Sequence, residues 1–232
     1  MTSGPLLCLP LDTDVEGSRK LVAATSEQID IFKIGLTSYA AGGAELVSEV
    51  ARVRPVFLDL KLHDIPAQVA GATQRFAGLG VGYLTIHSFG GRDMVAAAVE
   101  AAGEDLQVLV VTILTSLSEG GLRELGVNGP STEAVLRLAE VSLNAGATGL
   151  VCSPLEVGPI RSRFGSRADG GPVLVVPGIR LPGGDAHDQK RTATPADAVR
   201  DGADVLVVGR AISGASDPAA AAARVRGEME AA

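Results

Sequence analysis

The sequence predicts a single (β/α)8 TIM barrel of the α/β class, one domain over residues 1–232, on three observations. Eight short apolar runs rich in β-branched residues recur along the chain. Stretches with helical periodicity or high alanine content follow most of them, which is the rhythm of right-handed βαβ units and a parallel sheet. The first run ends without a Gly-rich nucleotide loop, so closure into a barrel fits better than an open doubly wound sheet.

Leu6 to Leu11 is the first strand, and VEGSRKLVAATSE after it predicts the first helix. Ile29 to Ile34 is the second, followed by the amphipathic GGAELVSEVARV. Val56 to Leu60 precedes AQVAGATQRFAGLG, and Tyr83 to His87 precedes RDMVAAAVEAA. The fifth strand, Val108 to Leu114, opens a long connection from Thr115 to Pro130 before STEAVLRLAEVSLNAG supplies a helix. Gly149 to Cys152 is the sixth. Val173 to Pro177 leads into a second long connection, Arg180 to Thr194, ahead of TPADAVRDGA. Val205 to Gly209 completes the set, and the Ala-rich tail from Pro218 reads as the last helix. Long connections after barrel strands lie on the catalytic face, so these two are candidate lids.

With 46% apolar and 3% aromatic residues, the core rests on Val, Leu, Ile and Ala, which suit strands buried on both faces. A formal charge of −7 excludes a general electrostatic attraction to nucleic acid or an anionic membrane; an anionic substrate needs a local basic pocket. Cys8 and Cys152 sit in apolar stretches with no metal-like or redox spacing and read as buried thiols of a reducing compartment. No apolar run is long enough to span a bilayer, and no basic region precedes the first one, so the expectation is a soluble cytoplasmic protein.

Chemistry is expected at the C-terminal strand ends. The third run ends FLDLKLHDIP, where alternation puts Asp59 and Lys61 on one side, opposite Leu58 and Leu60, with Asp64 just beyond. An ion pair plugging the core is the plainer explanation for one Asp and one Lys. Three charges in six residues at a catalytic-face strand end favour a functional site, because burying each costs several kcal/mol unless pairing or function offsets it. Lys33, in an otherwise apolar strand, calls for a carboxylate partner such as Asp59. Asp12 either caps the following helix or enters the barrel mouth, and the residues alone leave both open. Gly209 and Arg210 end the eighth run at the place where barrels commonly hold a phosphate, and Arg180 after the seventh can join them. His63, His87 and His187 show no zinc-like spacing, which predicts structural or hydrogen-bonding roles and no metal.

In order, FLDLKLHDIP, TIHSFGG, VTILTS, VPGIR, DQKR and VVGRAIS resemble the bacterial orotidine 5′-phosphate decarboxylase family from Leu11-Asp12 to Arg210, with D-x-K-x-x-D-I-P the most specific element. The resemblance implies a cofactor-independent, homodimeric carbon–carbon lyase (carboxy-lyase) that converts orotidine 5′-monophosphate to uridine 5′-monophosphate (UMP) and CO₂ in pyrimidine biosynthesis. It implies Lys61 as the proton donor to pyrimidine C6 and Asp59 beside the departing carboxylate. Lys33 would pair with that cluster and with ribose hydroxyls, and Asp12 would bind ribose. Asp64 would reach into the neighbouring subunit's site. Thr115 and Ser116 would bind the pyrimidine edge, and Arg180, Gln189, Gly209 and Arg210 the phosphate. Gln68 departs from the family pattern: it replaces a threonine whose hydroxyl helps to hold ribose across the dimer interface. Ser88-Phe89 replaces the commoner Ala-Ser, and the lid reads Leu181-Pro182-Gly183-Gly184 without a glutamine that some members have.

The residue types suit that chemistry. Loss of CO₂ from C6 leaves an electron pair in the ring plane, and an ammonium beside it both stabilises the charge and then protonates it. Flanking carboxylates favour the ionised lysine. Two alternatives remain: a keto-sugar-phosphate decarboxylase or aldolase of the same superfamily, which has D-A-G where this chain has Asp64-Ile65-Pro66 and usually binds Mg²⁺, and a catalytically idle nucleotide-binding barrel.

Overall fold

The computed structural model describes residues 4–181 and 192–232. Its strands β1 (Leu6–Pro10), β2 (Ile31–Gly35), β3 (Val56–Leu62), β4 (Val81–His87), β5 (Gln107–Val111), β6 (Gly149–Val151), β7 (Val173–Val176) and β8 (Val205–Val207) pair in parallel, in chain order, and close into one barrel. Each of the eight apolar runs is therefore a strand. Around them lie α1 (Val15–Thr25), α2 (Leu36–Ala51), α3 (Pro66–Ala77), α4 (Gly91–Ala102), α5 (Glu119–Glu124), α6 (Ser131–Asn144), α7 (Pro154–Phe164), α8 (Pro195–Arg200), α9 (Arg210–Ser213) and α10 (Pro218–Glu230).

Local chemistry starts these helices. Asp14, Ser118, Thr194 and Asp217 each accept a backbone N–H of the first turn, satisfying a donor that has no partner inside the helix. The sequence reading begins the second helix at Gly42, but α2 starts at Leu36 and breaks at Gly43, whose φ of 52° suits glycine alone. α7 has no counterpart among the amphipathic stretches named from the sequence. Pro154 in its first turn and Pro159 within it hide the helical pattern, whereas Ser153 N–H donating to Glu156 Oε2 at 2.7 Å anchors its start.

Alternation along the strands builds two apolar layers. Cys8, Ile31, Phe57, Leu109, Val175 and Val207 fill the barrel interior. Leu7, Leu9, Phe32, Leu58 and Leu84 face outward onto Val47, Val69, Val95 and Val225 of the helices. Each such side chain contributes about 1.5–3 kcal/mol on burial. Cys8 and Cys152 are fully buried free thiols whose pKa values burial pushes up.

The N-terminal end of the barrel is tied by ion pairs. Arg161 donates to Asp204 at 2.6 Å and to the carbonyls of Gly202 and Pro172, while Asp204 also accepts Leu174 N–H at 2.7 Å. Asp30 accepts Leu7 N–H at 2.8 Å and pairs with Arg226 at 2.7 Å. These charges are spent on holding strands and helices in register; the other end of the barrel carries a different kind of cluster.

Candidate active site

A cavity of about 270 Å³ opens at the C-terminal ends of the strands. Every strand end except that of β4 contributes to its wall. Asp12, Lys33, Asp59, Lys61, Thr115, Arg180, Gly209 and Arg210 all line it, beside an apolar wall that includes Phe57, Val111, Ile113, Val151 and Val207.

Asp59 is the hub. Lys61 Nζ donates to its Oδ1 at 2.7 Å, and Lys33 Nζ lies 3.4 Å from its Oδ2 and 3.3 Å from Asp12 Oδ1. Asp59 and Lys33 are only 12% exposed at their side chains and Lys61 34%, so the chain runs Asp12, Lys33, Asp59, Lys61 from half-open solvent through a buried pair to the cavity. Burial raises the Asp59 carboxyl, but Lys33 and Lys61, with hydrogen bonds from Lys61 and Thr85, outweigh it and hold the pKa below the usual range. Burial likewise lowers the Lys33 ammonium, and Asp59 with Asp12 reverses that and raises it. Asp12 thus belongs to the mouth, while Asp14 performs the helix cap.

Asp59 and Lys61 do share a side, but not through a regular pleat. Leu58 pairs with Leu84 and Leu62 with Ile86, so the three residues from Asp59 to Lys61 bulge opposite the single Thr85. Lys61 has a φ of 51°, the one positive value at a non-glycine among the described residues. Leu60 packs outward against the helix layer, as its sequence position suggests.

On the opposite wall the chain turns sharply at Gly178, with φ 86°, and Arg180 N–H donates to Ala193 O at 2.9 Å. Arg180 therefore projects from a short bridge between Ile179 and Ala193. Arg210 opens α9, next to Gly209, and is exposed to the cavity mouth.

Two sequence candidates lie elsewhere. Ser116 is exposed in the turn after Thr115 and does not line the cavity. Asp64 is also exposed, its Oδ1 accepting Ile65 N–H at 2.7 Å, in a run from His63 to Gln68 that is exposed throughout. Gln189, His187 and the lid from Pro182 to Gly184 fall outside the described residues. His63 and His87 stack with ring centroids 5.5 Å apart, and His87 Nδ1 accepts Phe89 N–H at 3.4 Å. Burial first, then His63 and Lys61, holds the His87 pKa below its ordinary value. Thr85 escaped the sequence reading. Its signal was a hydroxyl in an apolar strand, in step with Tyr83 and His87.

Known proteins share this fold and much of this sequence. A model of the "Orotidine 5′-phosphate decarboxylase / HUMPS family" matches residues 5–225. A protein of Anaeromyxobacter sp. (strain K), named orotidine 5′-phosphate decarboxylase, is 49% identical over 218 residues, covering 93% of this chain and 94% of its own. A Thermobifida fusca protein of the same name is 47% identical over 219 residues, covering 94% of this chain and 92% of its own. The crystal structure of orotidine 5′-phosphate decarboxylase from Lactobacillus acidophilus superposes with a TM-score of 0.85 at 33% identity, covering 98% of this chain and 99% of that one. Among the described residues no helix is long and apolar enough to cross a membrane.

Proposed function

Because this chain belongs to the orotidine 5′-phosphate decarboxylase / HUMPS family, we propose that its cavity decarboxylates orotidine 5′-monophosphate to UMP in pyrimidine biosynthesis. The observation that carries the reading is the Lys61–Asp59 contact of 2.7 Å in a cavity whose far wall bears Arg180 and Arg210. Two guanidinium groups and the backbone at Gly209 suit a phosphate monoester, and the charged cluster suits the reacting carbon.

With the phosphate against Arg180 and Arg210 and the pyrimidine edge at Thr115, ribose faces Asp12 and Lys33, and C6 faces Lys61. The C6–carboxylate bond breaks, CO₂ departs, and the bonding pair stays on C6. Lys61 ammonium stabilises that pair and then transfers a proton to it, completing UMP. Asp59 holds the ammonium in place and excludes the substrate carboxylate from a comfortable fit. Binding energy collected at the phosphate, remote from C6, is available to organise the site.

The function is tested by following the ultraviolet absorbance of orotidine 5′-monophosphate incubated with pure protein, with and without a chelator. Turnover is expected in both, and Lys61→Ala is expected to fold and lose nearly all of it. No turnover with nucleotide still bound would favour an idle barrel. Loss of activity on chelation would favour a metal-dependent keto-sugar-phosphate enzyme, against which Asp64-Ile65-Pro66 in place of D-A-G also speaks.

The active form in this proposal is a homodimer. Its support is an apolar rim after three adjacent strands, with Leu36 66%, Ile65 64% and Phe89 49% exposed. Asp64 lies in the same rim and, in the dimer, enters the site of the second copy.

A further inference from the structure

The geometry points to Thr85 as a positioning residue that holds Lys61 at both its backbone and its ammonium. This inference rests on the decarboxylase reading for its kinetic consequence. Thr85 is fully buried and does not line the cavity, so it touches no substrate. Its Oγ accepts the Lys61 backbone N–H at 2.9 Å and donates its own hydrogen to Asp59 Oδ1 at 2.9 Å. The same Oδ1 accepts from Lys61 Nζ at 2.7 Å. A closed ring results, from the Lys61 backbone through the Thr85 hydroxyl and the Asp59 carboxylate back to the Lys61 side chain.

The bulge makes that ring necessary. Three residues of β3 face one of β4, so the Lys61 N–H takes a side-chain hydroxyl as its partner. Lys61 also occupies the left-handed region, which persists in a lysine only where surrounding contacts over-determine it. Valine at position 85 keeps the β-branched shape and removes both hydrogen bonds. It leaves a buried N–H without a partner and frees Asp59 and Lys61 to rotate.

The test compares wild type, Thr85→Val, Thr85→Ser and Thr85→Ala for turnover of orotidine 5′-monophosphate, for UMP affinity, and by crystal structure. Thr85→Val should lower kcat by roughly 10- to 100-fold, as expected for lost hydrogen bonds to a charged group and a displacement of about 1 Å at the reacting atoms. KM and UMP affinity should stay within about threefold, because the lost interaction acts on the reaction and not on binding. Thr85→Ser should recover most of kcat, and Thr85→Ala should not; that pair isolates the hydroxyl even if the valine variant fails to fold. In crystals of Thr85→Val or Thr85→Ala, Lys61 should leave the left-handed region or lose its contact with Asp59. An unmoved Lys61, or a hydroxyl-free variant that turns over like wild type, overturns the inference. A wild type that does not turn over would instead fail the decarboxylase reading, and the crystal comparison would still decide the role of Thr85.

Discussion

Asp59 is a carboxylate stripped of most of its water and held between two ammonium groups, an arrangement stable only while all three are charged. Its pKa lies below the ordinary 3.8, so its contribution to folding is complete above pH 3.8 and is lost only as pH falls through the lower, folded-state value. Asp59→Asn should therefore cost about 3 kcal/mol at neutral pH, the lower end of the cost of leaving buried charge unpaired, because Lys33 retains Asp12. Urea denaturation of both proteins from pH 7 to pH 3 checks the sign: a gap that already narrows between pH 7 and pH 5 contradicts it. At this scale the sequence was most informative where charge is out of place. Lys33, Asp59 and Lys61 stood out because charge in an apolar barrel strand requires a partner or a function, whereas Asp12 and Asp14 differ only in which way each side chain turns, and spacing does not encode that. Thr85 stayed hidden because a threonine in a strand is ordinary until its two hydrogen bonds are seen.

Strands were legible as elements because their apolar runs are short, β-branched and bounded by turn residues. The bulge in β3 was not: it arises from pairing with β4, and a strand's own residues do not reveal how many of them face a given neighbour. α7 was lost to its two prolines. The sixth strand has a comparable subtlety in Gly149, which begins β6 on the barrel interior. A Cβ there would sit 2.5 Å from Val173 O and 2.8 Å from Leu109 Cδ2, so this glycine is required by close packing of β5, β6 and β7. Gly149→Ala should destabilise by about 1–3 kcal/mol through overpacking. Thermal melting should register it as a Tm lower by about 2–4 °C per kcal/mol for a chain of this size. Turnover at 25 °C should be little changed, because the clash is at the N-terminal end of the strand. An unchanged Tm would mean that β6 and β7 separate more easily than their packing indicates.

The whole molecule divides its charges by end. At one end Arg161, Asp204, Asp30 and Arg226 satisfy one another and the backbone; at the other, Asp12, Lys33, Asp59 and Lys61 line an open cavity. That polarity follows from the fold, and the fold was legible because eight strand signals, most of them followed by a helix signal, admit few arrangements. The proposed dimer rests on resemblance and on the exposed apolar rim, since Asp64 looks like any exposed acid within one chain. Mixing Lys61→Ala with Asp64→Ala subunits tests it: each parent should be nearly inactive, and random exchange should place both intact residues at one of the two sites of every mixed dimer and restore part of the turnover. Proven mixed dimers without activity would refute shared sites. Closure itself reaches further. β1 bonds to β8, and Asp12 at the close of the first strand shares a cavity with Arg210 just after the last. A nascent chain emerging from the ribosome therefore holds its first strand without a permanent neighbour on one side until almost all of the protein has been made. The barrel and its site should be completed together after release of the last strand, so fragments that stop short of it should have neither.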